Sequence, residues 1–131
     1  MPKRSAAKPS EREFRVAVVE EIADDIYSIK FVLQSFGYKV LSFSASSSYL
    51  EPLLQFKPQI VIVDMMIPAE GGYRVIREIR GRLSVKLPIL AITAAAMKGD
   101  DGDVLKAGGT ETLAKPYAIT ELQRKLRKLD K

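Results

Sequence analysis

The sequence predicts an α/β domain in which a doubly wound, five-stranded parallel sheet is covered by helices on both faces. Five apolar segments of strand length alternate with five segments of helical pattern, as in strands joined by helical crossovers. The segment 60–63 consists of four consecutive β-branched residues without polar alternation, which is typical of a strand buried on both faces. The chain has 131 residues, 47% of them hydrophobic, which is enough for one domain with its own core.

The first half of the chain is predicted to form three strands and two helices. The first helix has apolar residues at helical spacing and ends before Gly37, where a left-handed C-terminal cap belongs. The second helix is predicted to be short or kinked, because three serines open it and Pro52 interrupts it. In order, the elements are a strand over 14–19, a helix over 24–36, a strand over 38–43, a helix over 44–56 and a strand over 60–63 that runs into Asp64.

The second half is predicted to alternate in the same way and to end in an amphipathic helix. A third helix follows Gly71 and Gly72, with apolar residues on one face and arginines on the other. Pro88 lies at the start of the fourth strand, where a missing N–H is tolerated. The remaining elements are a strand over 87–92, a helix over 97–107, a strand over 110–114 and a helix over 119–129.

Residues 1–13 are rich in proline, serine, alanine and charge, without apolar periodicity. They predict a disordered basic leader, so that the folded domain spans 14–131. The net charge of +5 lies largely at the two ends of the chain, where solvated surface charge is the common case. Without a recognisable nucleic-acid-binding motif, and without an apolar run of roughly 18–20 residues, we expect neither nucleic-acid nor membrane binding, and a cytoplasmic location.

The amino-acid composition also limits the kinds of catalytic and metal-binding site that this chain can form. The chain contains no cysteine and no histidine, which excludes disulfides, thiolate or histidine metal sites, Ser-His and Cys-His catalysis, and phosphohistidine on this chain. Any chemistry therefore rests on carboxylates, lysine, hydroxyl groups and a hard metal ion.

The carboxyl ends of parallel strands share one edge of a sheet, and that edge is where ligands bind in open α/β folds. Here it collects Glu20, Glu21, Asp64, Thr93 and Lys115. Converging carboxylates need a counter-charge such as Mg²⁺ or Mn²⁺, and an aspartate beside a metal and a lysine can attack phosphorus to form an acyl phosphate. Each residue also has a simpler reading: a helix cap or turn for the aspartate, solvated charge for the glutamates and lysine, and a strand cap for the threonine.

Five motifs strengthen the first reading because they occur in order and with family spacing. They are VVEE at 18–21, DMMIPAEGG at 64–72, PILAITA at 88–94, MKGD at 97–100 and LAKP at 113–116. Over 14–129 the sequence resembles the receiver (CheY-like) domain of two-component response regulators. The resemblance implies a flavodoxin-like fold with strand order 2-1-3-4-5. It also implies a signalling module rather than an enzyme, apart from its own aspartyl phosphorylation and dephosphorylation.

The resemblance further implies a role for each site residue. Asp64 would accept a phosphoryl group from a sensor histidine kinase or a histidine phosphotransfer protein, as part of a two-component system or phosphorelay. A downstream protein partner would then read the state of a monomer or weak dimer. The implied metal ligands are Glu21, Asp64 and the Met66 backbone carbonyl, with Glu20 acting through water; the implied phosphoryl contacts are Thr93, the Ala94 backbone and Lys115, with Pro116 after a cis peptide bond.

Two positions depart from the family pattern. The acid pair is Glu20-Glu21 where aspartate is common, and the longer side chains displace the carboxylates relative to a metal site. At the position where the family pattern has an aromatic switch residue, this chain has Thr112. These departures leave open a degenerate receiver that acts only as an interaction module. A hydrolase on a related fold is a further alternative, but it needs an acid where this chain has Met66.

Other properties stay open at this stage. The chain is consistent with a single-domain regulator, a phosphorelay intermediate or a domain of a longer protein, and the kinase and the output are not specified. Met66 and Ala95 flank the site without a group that could orient water, so we expect slow self-dephosphorylation.

Overall fold

A computed structural model describes residues 14–21, 23–69, 71–94 and 100–130. The predicted leader, Ala95 and the predicted helix start at 97–99 lie outside the described residues. No helix in the described part of the chain has the length and apolar character needed to cross a membrane. The elements are β1 Arg15–Glu20, α1 Ala23–Ser35, β2 Lys39–Ser44, α2 Leu50–Phe56, β3 Ile60–Asp64, α3 Gly71–Arg82, β4 Ile89–Ala94, α4 Asp100–Ala107, β5 Glu111–Lys115 and α5 Ile119–Leu129.

The five strands form one parallel sheet in the order β2-β1-β3-β4-β5, which confirms the predicted topology. In the register of β1, Val19 lies opposite Phe43 on one side and opposite Val63 on the other. All carboxyl ends therefore point to the same edge, and β1 lies between β2 and β3.

Two apolar cores flank the sheet, because consecutive strand residues point to opposite faces. On one face, β1 and β3 residues pack with α2, α3 and α4, for example Val19 and Val63 against Ile76. On the other face, Val18 and its neighbours pack with α1 and α5, for example Leu122. Coverage of both faces explains why the 60–63 run is apolar without alternation.

The second helix differs from the prediction. It begins at Leu50, and the serine-rich stretch before it forms a turn in which Ser47 Oγ donates a hydrogen bond to the Ser44 carbonyl at 2.9 Å. Serine hydroxyls compete with the helix by bonding to nearby backbone, so the predicted helix over 44–49 is wrong. Pro52 then lies in the first helical turn, where its missing N–H breaks no helical bond.

The third helix begins at Gly71 itself rather than after the glycine pair. A Cβ on Gly72 would lie 2.8 Å from the Cα of Met65, so the helix packs directly on the loop that follows β3. That close approach holds the loop carrying Met65 and Met66 against the fold. The loop after Asp64 is therefore positioned by the backbone of α3.

Candidate functional site

Three polar side chains are buried among the residues that the structure describes. Glu20, Asp64 and Thr93 are each 3–4% exposed, and they lie at the carboxyl ends of the adjacent strands β1, β3 and β4. Burying ionisable groups is costly unless they are paired or bind a ligand. Their clustering at one strand edge therefore marks this edge as the candidate site, as the sequence predicts.

The carboxylate of Asp64 is only half satisfied by the protein. Its Oδ1 accepts a hydrogen bond from the N–H of Met66 at 2.9 Å. Its Oδ2 is buried and accepts no hydrogen bond from the described residues. An unsatisfied buried carboxylate oxygen costs about 1–3 kcal/mol, so such an atom in a native fold needs a functional reason. One oxygen of Asp64 is thus oriented and the other is available.

The carboxyl group of Glu20 contacts that of Asp64. Its Oε1 also accepts the N–H of Glu21 at 2.9 Å. Burial above all, and then the contact with Asp64, raises the pKa of Glu20 from 4.5 to about 8, against the opposing effect of Lys115. Two ionised carboxylates offer no donor to each other, whereas a protonated Glu20 can donate to Asp64. Without a cation, the fold therefore favours the protonated form of Glu20.

Glu21 engages the opposite neighbour of β1. Ser44 Oγ, at the end of β2, lies 3.3 Å and 3.5 Å from its two carboxylate oxygens. Hydrogen bonds from Ser46, then Ser44, and from the N–H groups of Ser46 and Ala45 lower the pKa of Glu21. Within the described ranges, no three acidic residues gather into a cluster that fits a metal ion. The structure thus brings Glu20 to Asp64 and holds Glu21 on the serine side.

The remaining predicted phosphoryl contacts lie on β4 and β5. Thr93 is buried within β4, and Lys115 ends β5 beside Ala94 in the strand register. Lys115 is close enough to Glu20 for its positive charge to oppose the rise in the pKa of that acid. The peptide bond between Lys115 and Pro116 is cis, as the resemblance implies. Both strands continue past the predicted ends, so Thr93 and Lys115 belong to the strands themselves.

The predicted switch position is Thr112, which has no aromatic ring and whose backbone forms a hydrogen bond to α5. The carbonyl of Thr112 accepts a hydrogen bond from Lys125 Nζ of α5 at 2.7 Å. Lys125 also lies 3.5 Å from Glu111, whose other carboxylate oxygen pairs with Lys128 at 3.0 Å. These contacts attach α5 to the first two residues of β5.

Two features escaped the sequence-based prediction. One is the serine turn, because only the ends of the other four strands were assigned to the site. The other is a groove of about 570 Å³ that starts at the site and runs between α1 and the start of α5. Its lining residues are Ile29, Val32, Met66, Ala94, Lys115, Pro116, Tyr117 and Ile119. An exposed apolar residue at the start of α5, Ile119, was the available signal.

The chain is similar to known signalling proteins. The family model for the response regulator receiver domain matches residues 16–127. Among curated relatives, the virulence transcriptional regulatory protein PhoP of Shigella flexneri is 34% identical over 115 residues, covering 88% of this chain and 51% of the relative. The transcriptional regulatory protein PhoP of Escherichia coli K12 gives the same figures. The chain therefore spans about half the length of the curated relatives it matches.

Solved structures agree with this similarity. The receiver domain of a sensor histidine kinase from Pseudomonas aeruginosa, described with a magnesium ion coordinated in its active-site cleft, is 30% identical, with a TM-score of 0.78 and coverage of 90% of this chain and 98% of that one. The chemotaxis response regulator CheY4 of Vibrio cholerae is 21% identical, with a TM-score of 0.78 and coverage of 89% and 98%. The second likeness supports the fold alone.

Proposed function

This chain belongs to the family of response regulator receiver domains, the signalling modules of two-component systems, and on that premise we propose that Asp64 is its phosphoacceptor. The observation that carries the proposal is the Asp64 carboxylate itself, buried beside Glu20 with Oδ1 oriented and Oδ2 available. The family comparisons do not favour a degenerate receiver. The phosphoryl donor would be a sensor histidine kinase or a histidine phosphotransfer protein.

In the proposed transfer, Asp64 Oδ2 attacks the phosphorus of the donor's phosphohistidine. A P–O bond forms as the P–N bond breaks, and the released electron pair returns to the imidazole, which takes up a proton. The N–H of Met66 keeps the aspartate oriented through Oδ1. The ammonium of Lys115, the hydroxyl of Thr93 and the backbone N–H of Ala94 would donate to the phosphoryl oxygens.

The same residues are a chemical match for Mg²⁺ or Mn²⁺. The carboxylate of Asp64 lies next to a second carboxyl group, that of Glu20, and together they offer the oxygen donors that a hard cation prefers. We infer that Glu20, Asp64 and the Met66 carbonyl hold the cation, which supplies neutralisation of phosphoryl charge when bound. In the described geometry Glu21 engages the serine side, so the ligand set is two acids rather than three.

The test is phosphorylation by a small-molecule donor. The purified protein is incubated with Mg²⁺ and acetyl phosphate, and intact mass is measured over time. We expect one added phosphoryl group in the wild type and in the surface control Asp103→Asn, and none in Asp64→Asn. Labelling that survives Asp64→Asn would assign the acceptor to another residue. Absence of labelling, and of a beryllofluoride adduct, would favour the interaction-module alternative; phosphate release without accumulation would favour a hydrolase.

We propose that this chain receives the phosphoryl signal and that a protein partner then reads its phosphorylation state. The curated relatives are named transcriptional regulatory proteins, and this chain matches about half of their length.

A further inference from the structure

We propose that Ser44 and Ser46 are positioning residues that weaken metal binding at the phosphoacceptor site by holding Glu21 on the far side of β1. The inference rests on the proposed function, because it concerns the cation that would assist phosphorylation of Asp64. It assigns a role to a turn that lies outside the five sequence motifs. Its consequence is that metal affinity depends on residues that touch neither the metal nor the phosphoryl group.

The first support is the strand order. β1 lies between β2 and β3, with Glu20 paired in register to Ser44 and Val19 paired to Val63. Ser44 and Asp64 therefore end the two strands on opposite sides of β1. Of the two consecutive acids, Glu20 contacts Asp64 and Glu21 contacts Ser44. The acid pair is divided between the two sides.

The second support is the set of donors around Glu21. Ser44 Oγ approaches both carboxylate oxygens, at 3.3 Å and 3.5 Å, and lies 2.9 Å from the hydroxyl of Ser46. The N–H of Ser46 donates to Ser44 Oγ at 3.3 Å. Together these hydroxyl groups hold the carboxylate of Glu21 at the end of β2.

The third support is that the turn is anchored elsewhere. Ala45 is buried, and its carbonyl accepts a hydrogen bond from Arg74 Nη2 of α3 at 3.2 Å. Ser47 Oγ closes the turn by donating to the Ser44 carbonyl at 2.9 Å. Among the described residues Glu21 forms no metal-binding cluster with Glu20 and Asp64, and the anchored turn holds it beside Ser44. Metal binding through Glu21 therefore competes with its hydrogen bonds to the serines.

The test is the Mg²⁺ affinity of the full chain, measured by isothermal titration calorimetry. Removing the competing hydroxyls in Ser44→Ala/Ser46→Ala should tighten Mg²⁺ binding about tenfold, as expected for lost charge-assisted hydrogen bonds. Ser48→Ala is the matched control, since Ser48 is an exposed serine two residues after Ser46 that is not among the proposed positioning residues, and it should leave the affinity unchanged. Ser44→Thr, which keeps the hydroxyl, should retain the wild-type affinity.

A Glu21→Gln background separates positioning from a structural effect. If the serines act through Glu21, the gain in affinity disappears in that background. Equal affinity of wild type and the double variant, a gain that persists without Glu21, or no measurable Mg²⁺ binding by any variant would each overturn the inference. Ser46→Ala alone changes an exposed side chain, so it gives a smaller gain in the same direction if the double variant does not fold.

Acetyl phosphate labelling of the same variants distinguishes this inference from the proposed function. Normal labelling of Asp64 with a Mg²⁺ affinity indifferent to the serines would refute the serine role alone. A serine-dependent Mg²⁺ affinity without labelling of Asp64 would refute the phosphoacceptor role and leave the serine role standing.

Discussion

Replacing Glu20 with glutamine should stabilise the metal-free domain at pH 8 and leave its stability nearly unchanged at pH 4.5. In the fold the pKa of Glu20 is raised from 4.5 to about 8, chiefly by burial and then by Asp64. Between those values the unfolded chain releases a proton that the folded chain keeps. The folded state therefore loses stability as pH rises from about 4.5 to about 8, and no further above that window.

The size of the effect follows from the size of the shift. Each pKa unit corresponds to about 1.36 kcal/mol, which sets a ceiling of about 5 kcal/mol for Glu20. Relaxation and water entry reduce such penalties, so we expect Glu20→Gln to add about 1–3 kcal/mol to the free energy of unfolding at pH 8. The amide keeps the shape of the side chain and can donate to the carboxylate of Asp64, as the protonated carboxyl group of Glu20 can.

Urea unfolding followed by circular dichroism, with a chelator present, measures this difference at pH 4.5 and pH 8. The surface variant Glu121→Gln on α5 serves as control and should show no comparable pH-dependent gain. Added Mg²⁺ at pH 8 should stabilise the wild type more than Glu20→Gln. The reasoning is wrong if the variant is less stable than the wild type at pH 8, or if the difference is the same at both pH values.

Three further predictions concern neighbouring parts of the fold. Phosphorylated wild type should lose its phosphoryl group slowly and Met66→Gln faster, because the half-exposed Met66 offers no group to orient water; a wild-type half-life of seconds in a phosphate-release assay would contradict this. Gly72→Ala should lower the free energy of unfolding by about 1–3 kcal/mol, since its Cβ would lie 2.8 Å from the backbone of Met65. Gly81→Ala has open space around its Cβ and should raise the free energy of unfolding by about 0.5–1 kcal/mol. Changes of the same sign for the two variants in urea unfolding would refute this. Lys125→Met should cost about 1 kcal/mol through loss of the 2.7 Å bond to the Thr112 carbonyl, and an unchanged urea midpoint would show that bond to be unimportant.

The sheet and the position of Asp64 were predictable because both depend on local pattern. The 60–63 run is apolar on both faces, and the carboxyl-end rule for parallel strands then places the acid at the ligand edge. The predicted order of the strands is likewise confirmed. The information needed at this level lies in residue type and spacing.

The direction of the second acid was not predictable in this way. Glu20 and Glu21 both follow the same strand, so the edge rule assigns both to Asp64. Glu21 lies just past the end of β1, however, so its direction depends on the hydrogen-bond donors near it rather than on the strand pattern. Those donors come from the serine turn after β2, which the sequence pattern had assigned to a helix. The late start of α2 and the contacts of Glu21 thus share one cause, which is the competition of serine hydroxyls with helix formation.

The bond between Lys125 and Thr112 affects how a change at the site could travel. It joins a side chain of α5 to the main chain of β5, whereas an aromatic side chain at position 112 could rotate without moving the strand. Lys115 ends that same strand three residues later. A displacement of Lys115 toward new negative charge would therefore act on a strand that is bonded to α5 near its start. If Asp64 is phosphorylated as proposed, β5 and α5 would move together, and the surface of α5 would change its position rather than a single side chain its rotamer.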